Sequence, residues 1–139
     1  MSRILLDSNA YARYISGDRA VSAALGRADE VFLSVIVLGE LLAGFRAGSH
    51  EVRNKEVLAA FLDKPTVSLL HATGETADYY GRIWASLRRA GRPIPTNDVW
   101  IAAQALETGS FLVTYDAHFA DVPGLRIWDG YSGPAGAVK

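Results

Sequence analysis

Short apolar runs at residues 3–7, 31–34, 67–71 and 110–115 alternate along this chain with stretches of helical periodicity, and that alternation leaves few folds open. Runs this short, apolar at successive positions, fit strands buried on both faces. Strands separated by helices pair into a parallel sheet with helices packed above and below. The first run, R-I-L-L-D, is a strand ending at Asp7, and Ser8 caps a helix through Tyr11 and Tyr14 to about Gly17. A second short helix covers 20–28. Ser34 caps a third that stops near Gly48, and residues 49–63 form a fourth, ended by Pro65. Residues 76–90 are amphipathic, with Tyr79, Tyr80, Ile83, Trp84 and Leu87 as the apolar stripe; Gly91 and Pro93 close that helix. Thr96 caps the next, which ends at Gly109, and a fifth short strand is expected at 125–128. The reading is one domain over 1–129 and a loose Gly-, Pro- and Ala-rich tail over 130–139.

At 139 residues, half of them hydrophobic, the chain can bury one core of useful size. It has no cysteine, which removes disulfides, thiolate zinc sites and a cysteine nucleophile together. The apolar run before Asp7 is too short for a signal peptide, and no segment approaches a membrane span, so a cytoplasmic protein without membrane contact is expected. The net charge of −1 does not by itself point to nucleic acid. Setting aside four carboxylates held in one site leaves 14 basic against 11 acidic residues, so the sign of the total argues little against a phosphate-bearing substrate.

In S-V-I-V-L-G-E-L-L-A-G-F, Glu40 has only Ile36, Val37, Ala43 and Gly44 as helical neighbours, and Arg46 is out of reach. A carboxylate on such a face needs a partner, so a distant basic group or a metal ion is expected to face Glu40. Ligands of parallel sheets bind outside the carboxyl ends of the strands. Asp7 ends strand one, Asp116 follows strand four, and Glu40 lies two turns past strand two. Asp98 opens a helix with Ile94, Ile101 and Ala102 beside it, and Asn97, Gln104 and Glu107 are read as that helix's wet side. Each acid has an ordinary explanation: Asp7 as a cap, Asp98 as a first-turn acid favoured by the helix dipole, Asp116 as a turn residue. Together, four carboxylates at one edge repel one another unless a hard cation such as Mg²⁺ or Mn²⁺ joins them. Such a cation suits phosphodiester hydrolysis.

The segments I-L-L-D-S-N-A, S-V-I-V-L-G-E-L-L-A-G, G-R-P-I-P-T-N-D-V-W-I-A-A-Q-A-L and L-V-T-Y-D-A-H-F, in that order and covering residues 4 to about 128, resemble the PIN-domain ribonucleases. The resemblance is closest to the VapC-type toxins of toxin–antitoxin pairs. It implies a PIN-like three-layer α/β/α sandwich around a parallel sheet of four to five short strands. It also implies a metal-dependent endoribonuclease with Asp7, Glu40, Asp98 and Asp116 as catalytic and metal-binding acids, and Asn9 and Thr114 as supports. An antitoxin covering the site, a homodimer and an RNA substrate are implied as well. Where T-x-D-x-D-F forms of the motif carry a second acid, this chain has His118, read as an ordinary loop histidine. Arg13, Arg82 and Arg92 are the candidate RNA contacts. With Arg88 and Arg89, they also suit solvated helix faces. Two rival functions stand beside this one: a catalytically silent PIN-like interaction module and a DNA-directed nuclease using the same acids. A small-molecule phosphatase lacks its second aspartate two residues after Asp7, and no phosphate-binding glycine loop is present.

Overall fold

A computed structural model describes residues 2–130. The tail expected over 130–139 therefore lies almost wholly outside the described residues. The elements run β1 (Arg3–Leu6), α1 (Ser8–Ile15), α2 (Arg19–Arg27), β2 (Glu30–Ser34), α3 (Val35–Ala47), α4 (Glu51–Leu62), β3 (Val67–Leu70), α5 (Gly74–Arg89), α6 (Thr96–Thr108), β4 (Phe111–Val113) and a 3-10 turn (Ala117–Asp121). The four strands form a parallel sheet ordered β3-β2-β1-β4. Successive strand residues point to opposite faces, yet Ile4, Leu5 and Leu6 are all buried, as are Val31, Phe32 and Leu33, so both faces are covered by helices. Among the described residues no helix is long and apolar enough to cross a membrane.

Several helix starts differ from the expected ones. Asp7, not Ser8, caps α1: its backbone is extended and its Oδ1 accepts from the Ala10 N–H at 2.8 Å. The strand stops at Leu6, so the first residue free to cap is the aspartate itself. Pro95 precedes α6, which places Thr96 inside the helix with no side-chain cap. α5 begins at Gly74, with Thr73 and Thr76 in a capping box. Ser34 does cap α3, accepting from the Ile36 N–H at 3.0 Å.

The face of α6 read as wet is largely not so. Gln104 is 1% exposed, and Glu107 accepts from the Thr76 hydroxyl of α5 at 2.6 Å. α6 packs against α5 as well as the sheet, and residues 101–105 are all buried, leaving little of the helix for solvent. Conversely, Trp84 of the expected apolar stripe is 43% exposed, with the Arg88 guanidinium over its ring.

The fifth strand reduces to a single parallel bridge between Leu112 and Ile127. The Leu112 N–H donates to the Arg126 carbonyl at 2.9 Å, and the Trp128 N–H to the Leu112 carbonyl at 3.0 Å. Three-residue β4 offers only Leu112 with backbone groups facing away from β1, because neighbouring residues point the opposite way. This edge nevertheless seats Trp128, which is 6% exposed and donates its indole N–H to the Thr114 carbonyl at 2.7 Å. Losing a buried partner of this kind costs about 1–3 kcal/mol. Trp128→Phe is therefore expected to lower the unfolding free energy by that amount, read as a lower urea midpoint with the m-value unchanged; an unaltered midpoint would show that the bond contributes nothing.

Candidate active site

β1 leads through β2 to β3 on one side, and the chain then returns to place β4 on the other side of β1. The sheet order therefore reverses between β1 and β4, and at such a switch point a crevice opens at the strands' carboxyl ends. Leu6 is paired with Val113, so the next residues, Asp7 and Thr114, stand side by side. Asp7 is 5% exposed; its Oδ2 accepts from the Thr114 hydroxyl and its Oδ1 from the start of α1. The same Thr114 oxygen accepts the Asp116 N–H at 2.9 Å, so one wholly buried hydroxyl ties both acidic segments together.

Asp116 caps the 3-10 turn, and its Oδ1 accepts the His118 N–H at 2.9 Å. The His118 ring turns to the same side, with Nδ1 3.3 Å from the same oxygen and 2.9 Å from Oδ2 of Asp98. Asp98, Asp116 and His118 each offer a ligating atom, all within 4.8 Å of one another. His118 is exposed, as expected of a solvated loop histidine, but its ring sits against the acids. The available sequence signal was the Asp-x-His spacing, which an aspartate-capped turn brings together.

The electrostatics record the crowding. Burial raises the Asp7 carboxyl to about 6; hydrogen bonds from Thr114 and Ala10 oppose this, and Asp116 and Asp98 add to it. Asp98 is also raised, first by burial, with Asp116 and Glu40 contributing and His118 opposing. His118 is raised in turn, chiefly by its hydrogen bond to Asp98.

Of the two partners expected for Glu40, a basic group does not face it among the described residues. Its Oε1 accepts from the Ser8 hydroxyl at 2.5 Å and its Oε2 from the Asn97 amide at 3.1 Å. These neutral donors come from α1 and α6, 32 and 57 residues away, which is why no local pattern revealed them. They hold the half-buried carboxylate beside Asp98.

The structure does not bring the arginines equally close. Arg13 lies over the Tyr115 ring at 4.2 Å, in an open cleft of about 390 Å³ shared with Asn9 and Asp116. Asn9 is exposed on that cleft. Arg92 reaches Asp121, at the end of the turn carrying His118, at 3.4 Å. Arg82 instead engages Asp78 on its own helix and lines a separate cleft with Leu106. Leu106 is eight residues along α6 from Asp98, roughly 12 Å at 1.5 Å per residue.

The donor chemistry fits a divalent cation: carboxylate oxygens predominate, one nitrogen joins them, and like charges await neutralisation. Without a cation, the raised Asp7 carboxyl stabilises the fold most below the unfolded value near 4 and loses that contribution as pH rises through about 6. Asp7→Asn should therefore be more stable than the native chain in EDTA at pH 7.5, by about 3 kcal/mol, with the difference closing near pH 4. Equal stabilities at pH 7.5 would contradict a strained Asp7 carboxylate.

The PIN domain family matches residues 4–125. Ribonuclease VapC1 of Haemophilus influenzae is 32% identical over 89 residues, 63% of this chain; the match spans 64% of that relative, just under two thirds of its length. The tRNA(fMet)-specific endonuclease VapC of Shigella flexneri is 33% identical over 98 residues, covering 70% of this chain and 73% of the relative. The crystal structure of DNA-bound VapBC from Salmonella typhimurium superposes with a TM-score of 0.82 at 27% identity, over 92% of this chain and 98% of that one. The fold, the match over nearly its whole length and these relatives agree: the chain belongs to the PIN domain family, on its VapC branch.

Proposed function

We propose that the chain is a metal-dependent endoribonuclease that uses Mg²⁺ or Mn²⁺ and serves as the toxin of a toxin–antitoxin pair in the cytoplasm. The observation that carries this reading is the placement of buried Asp7 beside Asp116 and Asp98 at the sheet's switch point, where burial and the neighbouring charges raise its carboxyl. A fold seldom retains such unneutralised charge without a use for it. The choice of RNA rests on the relatives, which are named as a ribonuclease and a tRNA-directed endonuclease.

Asp7, Asp98, Asp116 and Glu40 would hold the cation and its waters. Once bound, the ion supplies a nucleophilic water at neutral pH and counters charge on the phosphoryl oxygen. The chain's own residues fix the geometry. Thr114 orients the Asp7 carboxylate with its hydroxyl and the Asp116 backbone with the same oxygen, while Ser8 and Asn97 hold both oxygens of Glu40. Arg13, which lines a cleft with Asn9 and Asp116, and Arg92, paired with Asp121, would meet backbone phosphates.

An antitoxin segment covering this crevice completes the proposal, as does a homodimer. In α1, Tyr11 is core and Tyr14 packs against it, but Ile15 is 45% exposed beside Leu41 and Phe45. Leu42 and Trp84 likewise reach the surface. Exposed apolar side chains of this kind suit protein partners.

The deciding experiment is cleavage of total cellular RNA by the purified chain in Mg²⁺ or Mn²⁺, with the cut ends mapped. Cuts that vanish in EDTA and in Asp98→Asn are expected, along with resistance of the matching deoxy substrate. Cuts that persist in Asp98→Asn would remove the site assignment, and equal cleavage of DNA would favour the DNA-directed reading. Thr114→Val keeps all four acids but releases their common tie, and should lower the cleavage rate by about 10–100-fold. An unchanged rate would mean that Thr114 positions nothing.

A further inference from the structure

His118 is the group at the crevice that neither the acidic set nor the arginines account for. We infer that its Nδ1 is a direct ligand of the cation held by Asp98 and Asp116, giving the centre a mixed nitrogen and oxygen donor set that favours Mn²⁺ over Mg²⁺. This rests on the metal-dependent reading above and specifies the centre further.

The spacing supports ligation. Octahedral bonds of about 2.1 Å place adjacent donor atoms about 3.0 Å apart. Nδ1 lies 2.9 Å from the Asp98 oxygen and 3.3 Å from the Asp116 oxygen, on either side of that edge length. The arrangement is also built into the backbone. The His118 N–H is spent on Asp116 Oδ1, and Phe119, the next residue, is 1% exposed and pins the turn into the core. Nδ1 and the Asp98 oxygen share a hydrogen bond, and a cation bound to both would take the place of its proton. Imidazole nitrogen raises affinity for Mn²⁺ more than for Mg²⁺, which prefers oxygen and retained waters.

The test uses Mn²⁺ alone on the full chain, with no RNA. Electron spin echo spectra of the Mn²⁺-bound native chain should show ¹⁴N modulation from a directly coordinated imidazole. The other two histidines, His50 and His71, lie outside the cluster. His118→Ala, checked for folding by circular dichroism, should lose the modulation and bind Mn²⁺ at least about tenfold more weakly. His118→Asp should bind Mn²⁺ without modulation, and its preference for Mn²⁺ over Mg²⁺ should fall. Bound Mn²⁺ with no ¹⁴N modulation in the native chain, or modulation surviving in His118→Ala, would overturn the role of His118 and leave the metal centre standing. A folded native chain that binds no Mn²⁺ at millimolar concentration would overturn both.

Discussion

Leu6 pairs with Val113 where β1 meets β4, and that register determines what stands at the sheet's edge. One residue further along each strand, Asp7 and Thr114 become neighbours, and the Thr114 oxygen then reaches both the Asp7 carboxylate and the Asp116 backbone. A shift of one residue would turn every side chain to the other face and dismantle the arrangement. Trp128 buttresses it from outside through the Thr114 carbonyl. The site is thus an extension of strand pairing, not a loop feature added to it.

The same register creates an electrostatic conflict. Burial disfavours the Asp7 charge, and the neighbouring acids disfavour it further. The chain answers in part with hydrogen-bonding partners: Thr114 and the α1 backbone to Asp7, Ser8 and Asn97 to Glu40, His118 to Asp98. None of these cancels the net negative charge, and a divalent cation would. Stability is given up at the place where the acids offer ligands for a cation, a common relation between a functional site and the fold around it.

Much of the fold was legible because its signals are local. Short apolar runs between periodic segments define β1 to β4 and the helices, and Asp7 at the end of its run marks the carboxyl edge of the sheet. Signals that depend on tertiary partners were not legible. Glu40 stood out correctly as misplaced on an apolar helix, but its partners are neutral and far away in sequence. Gln104 looked wet by periodicity, yet α6 is enclosed on more than one side. The 125–128 strand has the right composition but meets a β4 too short to form a ladder with it. His118 carries no sequence pattern beyond its distance from Asp116, so its place among the acids appears only in three dimensions.

If acids from β1, α3, α6 and the turn after β4 share one cation, they repel one another without it. Thermal unfolding of the native chain and Asp98→Asn, each in EDTA and in millimolar Mg²⁺ or Mn²⁺, tests this most directly. Asp98→Asn is expected to melt higher than the native chain in EDTA, and the metal to raise the native midpoint by linkage while barely moving the variant. A native midpoint indifferent to metal, together with a variant no more stable in EDTA, would contradict it.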